Sequence, residues 1–144
     1  MRFTTLAASA LTAAPSPPQT AHLTFLDRSA AALYQLAVVA DNRTYATPPS
    51  LPVARIAAPD YNAAALCDLV FAQPAAAPEH VFVIGEDGRT GQVRIEPPTP
   101  VAGIRCAGVC VANYGTCNGA DGRGPRLCCN GYCAANLCRP WNGV

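Results

Sequence analysis

The chain has 144 residues and a formal net charge of +1, from 10 Arg and no Lys against nine acids, which excludes a strongly basic nucleic-acid binder at the level of the whole chain. Hydrophobic residues reach 51%, too many for a disordered chain, yet no apolar run approaches the roughly 18 residues that a spanning helix needs. Cysteine is the informative count: there are eight, and seven lie between Cys106 and Cys138.

Met1-Arg2-Phe3 carries a positive charge, and a mildly apolar run follows from Phe3 to Ala14. This is the pattern of a short signal peptide, set here at residues 1–21 with the cut left open. Small residues at Thr12 and Ala14 fit a cut that Pro15 would hinder, and a cut after Ala21 places Gln19 where a small residue is favoured. The alternative is an alanine-rich tail. Eight cysteines in a short chain imply disulfides, which persist in oxidising compartments, so a secreted, extracellular protein is expected. Asn42-Arg43-Thr44 is a glycosylation sequon, which makes Asn42 a candidate modification site.

Residues 22–105 read as an all-β, sandwich- or barrel-like module. Expected strands are His22–Leu26, Ala32–Ala40, Arg43–Thr47, Leu51–Ala57, Ala64–Phe71, His80–Ile84, Gln92–Glu96 and Val101–Ile104. Tyr34, Leu36 and Val38 alternate with Gln35 and Ala37, as on a strand with one buried face. Asp41-Asn42, Pro48-Pro49, Pro59-Asp60 and Pro74 punctuate the run at turn-like spacing. Ala63–Ala65 could instead start a helical turn. The clearest hairpin is centred on Asp87-Gly88, where glycine can supply a positive φ. Pro97-Pro98-Thr99-Pro100 cannot join a central strand and reads as a stiff connector or edge segment.

Residues 106–144 have a different character. From Cys106 to Cys138 there are seven Cys and six Gly in 33 residues, with few large apolar side chains, so disulfides must replace a hydrophobic core. Charge divides along the same line. Residues 22–100 hold five Arg and eight acids, −3; residues 101–144 hold four Arg and one Asp, +3. Ordinary solvated surface accounts for imbalances of this size more readily than attraction to an anionic partner. Cys67 is alone in the first segment and must pair forward or remain free, and a free thiol does not suit a secreted protein; its natural partner is Cys106, at the boundary just after the last strand.

The remaining six cysteines, Cys110, Cys117, Cys128, Cys129, Cys133 and Cys138, are spaced C-x6-C-x10-CC-x3-C-x4-C. The spacing, and above all Cys128-Cys129-Asn130-Gly131-Tyr132-Cys133, resembles the inhibitor cystine knot, or knottin. That resemblance implies the pairs Cys110–Cys129, Cys117–Cys133 and Cys128–Cys138; another connectivity is the alternative. It also implies binding through loops, which makes Arg123 and Arg126 in the long glycine-rich loop candidates, together with Tyr114, Tyr132, Arg139 and Trp141. The first segment, with YQLAVVAD, LPVARI, Cys67, EPPTPV and Cys106, is similar to small secreted cysteine-rich fungal proteins of the effector-like kind.

Nothing promotes a catalytic constellation. His22 and His80 stand without a nucleophile elbow, Glu86-Asp87 suits a turn, and every cysteine is expected in a bridge. The tail has no His and no C-x2-C unit, so no metal is expected, and no phosphate or dinucleotide fingerprint points to a cofactor. The expectation is a monomeric, non-enzymatic protein that binds an extracellular macromolecule (protein, polysaccharide or membrane surface) and no nucleic acid. An antimicrobial knottin, a hydrolase inhibitor and a polysaccharide binder are the alternatives. Trp141 is expected either to pack against the first module or Tyr132, or to stand exposed for binding.

Overall fold

The computed structural model describes residues 17–73, 78–118 and 125–143. Most of the expected leader, the turn at Pro74, and Arg123 lie outside the described residues. The chain is all-β, with strands β1 (Thr20–Leu26), β2 (Ala32–Val39), β3 (Asp41–Ala46), β4 (Pro52–Ala57), β5 (Cys67–Phe71), β6 (Glu79–Ile84), β7 (Gly91–Ala107), β8 (Tyr132–Ala134) and β9 (Leu137–Arg139). One helical turn, α1 (Ala63–Leu66), precedes β5, so the segment expected as one strand over Ala64–Phe71 is split. Asn62 explains the split: its side chain accepts from the Ala65 amide and caps the turn.

The first seven strands form one curled sheet, organised by β7. The two strands expected over Gln92–Glu96 and Val101–Ile104 are a single strand of 17 residues, and the Pro-rich stretch lies in its middle. Pro97–Pro100 is therefore neither a connector nor an edge. The register shows how prolines are tolerated there. Val53 faces Thr99 and Arg55 faces Arg94, so Ala54 alone is opposed by Ile95, Glu96, Pro97 and Pro98. The two adjacent prolines fall in this bulge, where no ladder bond needs their missing N–H. The Glu96–Pro97 peptide is cis. Before the bulge β7 runs between β4 and β6; just beyond it β4 still pairs at Thr99 and Pro100, and from Val101 on β7 runs between β3 and β5. A strand that changes partners at a bulge turns the corner of a curled sheet.

Alternation places the core on the concave face. Leu23, Phe25, Ile56, Val93, Ile95 and Ile104 are all buried, and Phe25 stacks on its cross-strand neighbour Tyr34 at 4.4 Å. The β6–β7 hairpin is closed by Asp87. Its carboxylate accepts from the Arg89 and Thr90 amides and the Thr90 hydroxyl, while Gly88 takes φ +68°. Asn42, the sequon residue, is exposed in a β-bulge with φ +66°, a conformation asparagine adopts more readily than most residues.

Cys67 and Cys106 are directly opposite on β5 and β7 and are bonded. The last six cysteines pair first with fourth, second with fifth and third with sixth: Cys110–Cys129, Cys117–Cys133 and Cys128–Cys138. These four pairs are the ones expected from the sequence, and no described cysteine is free. The tail's own core is sulfur: buried Cys117, Cys128 and Cys138 pack with Val111 and Cys133. The three sulfurs lie within 4.8 Å of one another, but each is bonded to another cysteine and offers no thiolate to a metal. Four disulfides place the folded chain in an oxidising environment.

Candidate functional site

The tail is docked onto the sheet by four sets of polar contacts. Gln19 clasps Cys110, its side chain donating to the carbonyl (2.8 Å) and accepting from the amide (3.0 Å). The Tyr61 hydroxyl donates to the Gly108 carbonyl at 2.9 Å, and the Asn62 amide to the Cys128 carbonyl at 3.1 Å. Asn130 Oδ1 accepts from the buried Gly91 amide at 2.7 Å and from Trp141 Nε1 at 3.1 Å. Cys110 and Cys129 belong to the same apolar cluster as Phe25 and Ile95. β7 runs on to Ala107, past the boundary expected at residue 105, and sheet and tail share that cluster.

This docking assembles an aromatic face at the seam. Trp141 lies between Phe82 of β6 (centroids 5.1 Å, planes tilted 47°) and Tyr132 of β8 (6.2 Å, 36°). Both neighbours remain about two-fifths exposed and Trp141 is half-buried, its ring nitrogen held by Asn130. Of the two positions expected for Trp141, packing against sheet and Tyr132 is what the structure has, with part of the ring still open. Beside it runs an open groove of about 320 Å³ between α1 and the rings, lined by Asn62, Ala64, Ala65, Phe82 and Trp141. Both polar ends of Asn62 are engaged by backbone, so the groove is apolar and its lining carries no titratable group. Such a surface can stack on a sugar ring or accept an apolar side chain.

The backbone that presents this face is tightly specified. A Cβ on Gly131 would sit 2.0 Å from the Arg139 carbonyl oxygen, so only glycine lets the Cys129–Tyr132 segment run against β9. Ala135 and Asn136 both take positive φ and close β8 onto β9 in a two-residue turn.

The other candidates fall elsewhere. Tyr114 is 59% exposed, away from the aromatic row, with φ +67°. The Arg126 guanidinium turns back to donate to the Thr116 carbonyl at 3.2 Å, and Arg139 Nε donates to the Ala134 carbonyl at 3.2 Å; both brace the tail. His80 sits on exposed β6 with its ring 6.4 Å from Phe71. His22 contacts Asp60 (Nδ1 to Oδ2, 2.5 Å), and Asp60 also accepts the His22 amide, an exposed tie between β1 and the loop after β4. Sequence reading missed Phe82, Asn130, Asn62 and Gln19. Asn130 and Gly131 stand inside the most specific cysteine motif, and that was the one available signal. Phe82 sits in a run apolar on both faces, which gives no side.

Comparison of the chain with protein-family models, curated proteins and solved structures found no match.

Proposed function

We propose that this is a secreted, non-enzymatic, effector-like protein that binds a host or competitor macromolecule, with a cystine-knot tail fixing an aromatic contact face. The observation that carries the reading is the row Phe82–Trp141–Tyr132, partly open beside an apolar groove and locked by Asn130. The pairing order of the last six cysteines supports the knottin assignment. Groups that could act as acid, base or nucleophile do not line the groove, which supports binding rather than turnover. An inhibitor that inserts Arg126 into an acidic pocket is less well supported, because that guanidinium is engaged with Thr116.

Trp141 is the protein's only Trp, so its emission reports directly on this face. The full secreted chain is titrated with neutral glucan and chitin oligomers, lipid vesicles, and secreted proteins of the competing or host organism. A saturable change in Trp141 emission with one class identifies the partner class. No change with any class, or turnover of a substrate by the pure protein, refutes the reading.

A further inference from the structure

We propose that the convex outer face of β4 and β7 is a second site, which binds an acidic polysaccharide by gripping its carboxylate or sulfate groups with Arg28, Arg55 and Arg94. The site is independent of the aromatic face. Val93, the cross-strand partner of Phe82, is buried on the concave side, so its chain neighbour Arg94 points the other way.

The register puts two arginines together. Arg55 on β4 and Arg94 on β7 are directly opposite, in a cross-strand row that continues to Leu26 on one side and Val81 on the other. Like charges in opposite positions destabilise a sheet unless a counter-charge lies between them. Arg28, from the β1–β2 turn, lines the same open groove of about 320 Å³, whose lining includes Ala54, Ile95 and Pro98. Among the described residues three ion pairs lie within 4.0 Å, and none involves these arginines. Arg55 makes one side-chain hydrogen bond, a long 3.4 Å contact to Gln92 Oε1. The carboxylate next in sequence to Arg28, Asp27, accepts from the Ser29 amide and hydroxyl and the Ala31 amide instead.

The ligand class follows from what surrounds the guanidinium groups. Glu96 lines the same groove and Glu79 is its cross-strand neighbour, so acceptors stand beside the three donors. A ligand with both anionic groups and hydroxyl donors satisfies this mixture, and a uronate- or sulfate-bearing sugar has both. An anionic membrane plane would press phosphates against Glu79 and Glu96 as well.

Affinity electrophoresis of the full secreted chain tests the site, with polygalacturonate, dextran sulfate and uncharged dextran in the gel. Retardation by polygalacturonate, dextran sulfate or both, released by salt and absent with dextran, is expected; which polymer acts distinguishes carboxylate from sulfate. The R55Q/R94Q double variant should weaken the affinity at least about tenfold. R28Q, at an exposed turn, should weaken it by a smaller factor, and E96Q should strengthen it. Equal retardation by dextran, none by either anionic polymer, or wild-type affinity in both arginine variants overturns the proposal. Binding to anionic vesicles with the same arginine dependence reassigns the face to membranes and also overturns it. Trp141 emission, on the opposite face, should not respond to the acidic polymers, so this result and that for the aromatic face can fail separately.

Discussion

One oxygen atom, Asn130 Oδ1, gathers two of the contacts that hold the seam between sheet and tail, and Asn130→Ala tests its share. Asn130 Oδ1 accepts from two donors that differ in their access to water. Gly91 is buried, so its amide is stranded by the substitution, at a cost of about 1–3 kcal/mol. Trp141 is half-buried, so its ring N–H recovers a water and adds only about 0.5 kcal/mol. The expected loss is therefore about 1.5–3.5 kcal/mol, enough to lower the docked-to-undocked ratio roughly tenfold or more. Asn130→Asp keeps an acceptor at the same place and should recover most of the loss. Urea titration followed by Trp141 emission reads the effect, because Trp141 leaves Phe82 of the sheet when the tail undocks, while Tyr132 travels with it. Far-UV circular dichroism of the sheet should change at higher urea than the emission does. An Asn130→Ala protein with wild-type emission and midpoint would refute the idea that this side chain holds the seam.

Replacing Cys67 and Cys106 by alanine opens a loop with a sequence separation of 39 that contains no other bridge; the chain-entropy relation gives roughly 4 kcal/mol, and a loss below about 1 kcal/mol by urea unfolding would contradict it. The Thr90 hydroxyl, then the Thr90 and Arg89 amides, hold the Asp87 carboxyl below its ordinary value of 3.8. Its contribution to the β6–β7 turn is thus full above that value and is lost as pH falls through the lower folded one, so hydrogen exchange at Arg89 and Thr90 should quicken there, and Asp87→Ala should abolish the step. A chain starting at His22 loses Gln19's clasp on Cys110 and the buried Ala21, and should refold poorly with its disulfides scrambled on a non-reducing peptide map. Gly131→Ala should give the same scrambled map, because the added carbon meets backbone rather than a side chain that can move.

Much of the sheet was legible because its signals are local. Tyr34, Leu36 and Val38 alternate with exposed Gln35 and Ala37, and Asp87-Gly88 supplies its own turn chemistry. The cysteine pairs were legible because Cys67 had no neighbour to pair with and the other six carry a recognisable spacing. Pro97 and Pro98 misled because proline excludes a ladder bond only where one would form, and the bulge opposite Ala54 removes that demand. Whether a bulge exists is decided by the partner strand, not by the prolines. The arginine pair was hidden for the same reason: Arg55 and Arg94 meet only in a register shifted by that bulge. The aromatic face was half visible. Tyr132 and Trp141 stand out in a tail with few large side chains, but Phe82 belongs to a distant hairpin brought alongside by Asn130 and Gly91.

The long central strand also sets an order of events during synthesis. Pairing of β1 with β2 and with β4 can begin as soon as those strands leave the ribosome, yet β3, β5 and β6 each pair along a ladder only with β7. Those strands must wait, unpaired, until residues 91–107 emerge. Cys67 waits with them for Cys106. The nascent chain thus carries β3, then β5, then β6 without their partner, and a reactive thiol over a sequence separation of 39, a state open to wrong pairing and to chaperone or oxidoreductase binding. Arrival of β7 joins these strands into the one curled sheet, and only then is there a surface on which the cysteine-rich tail can settle.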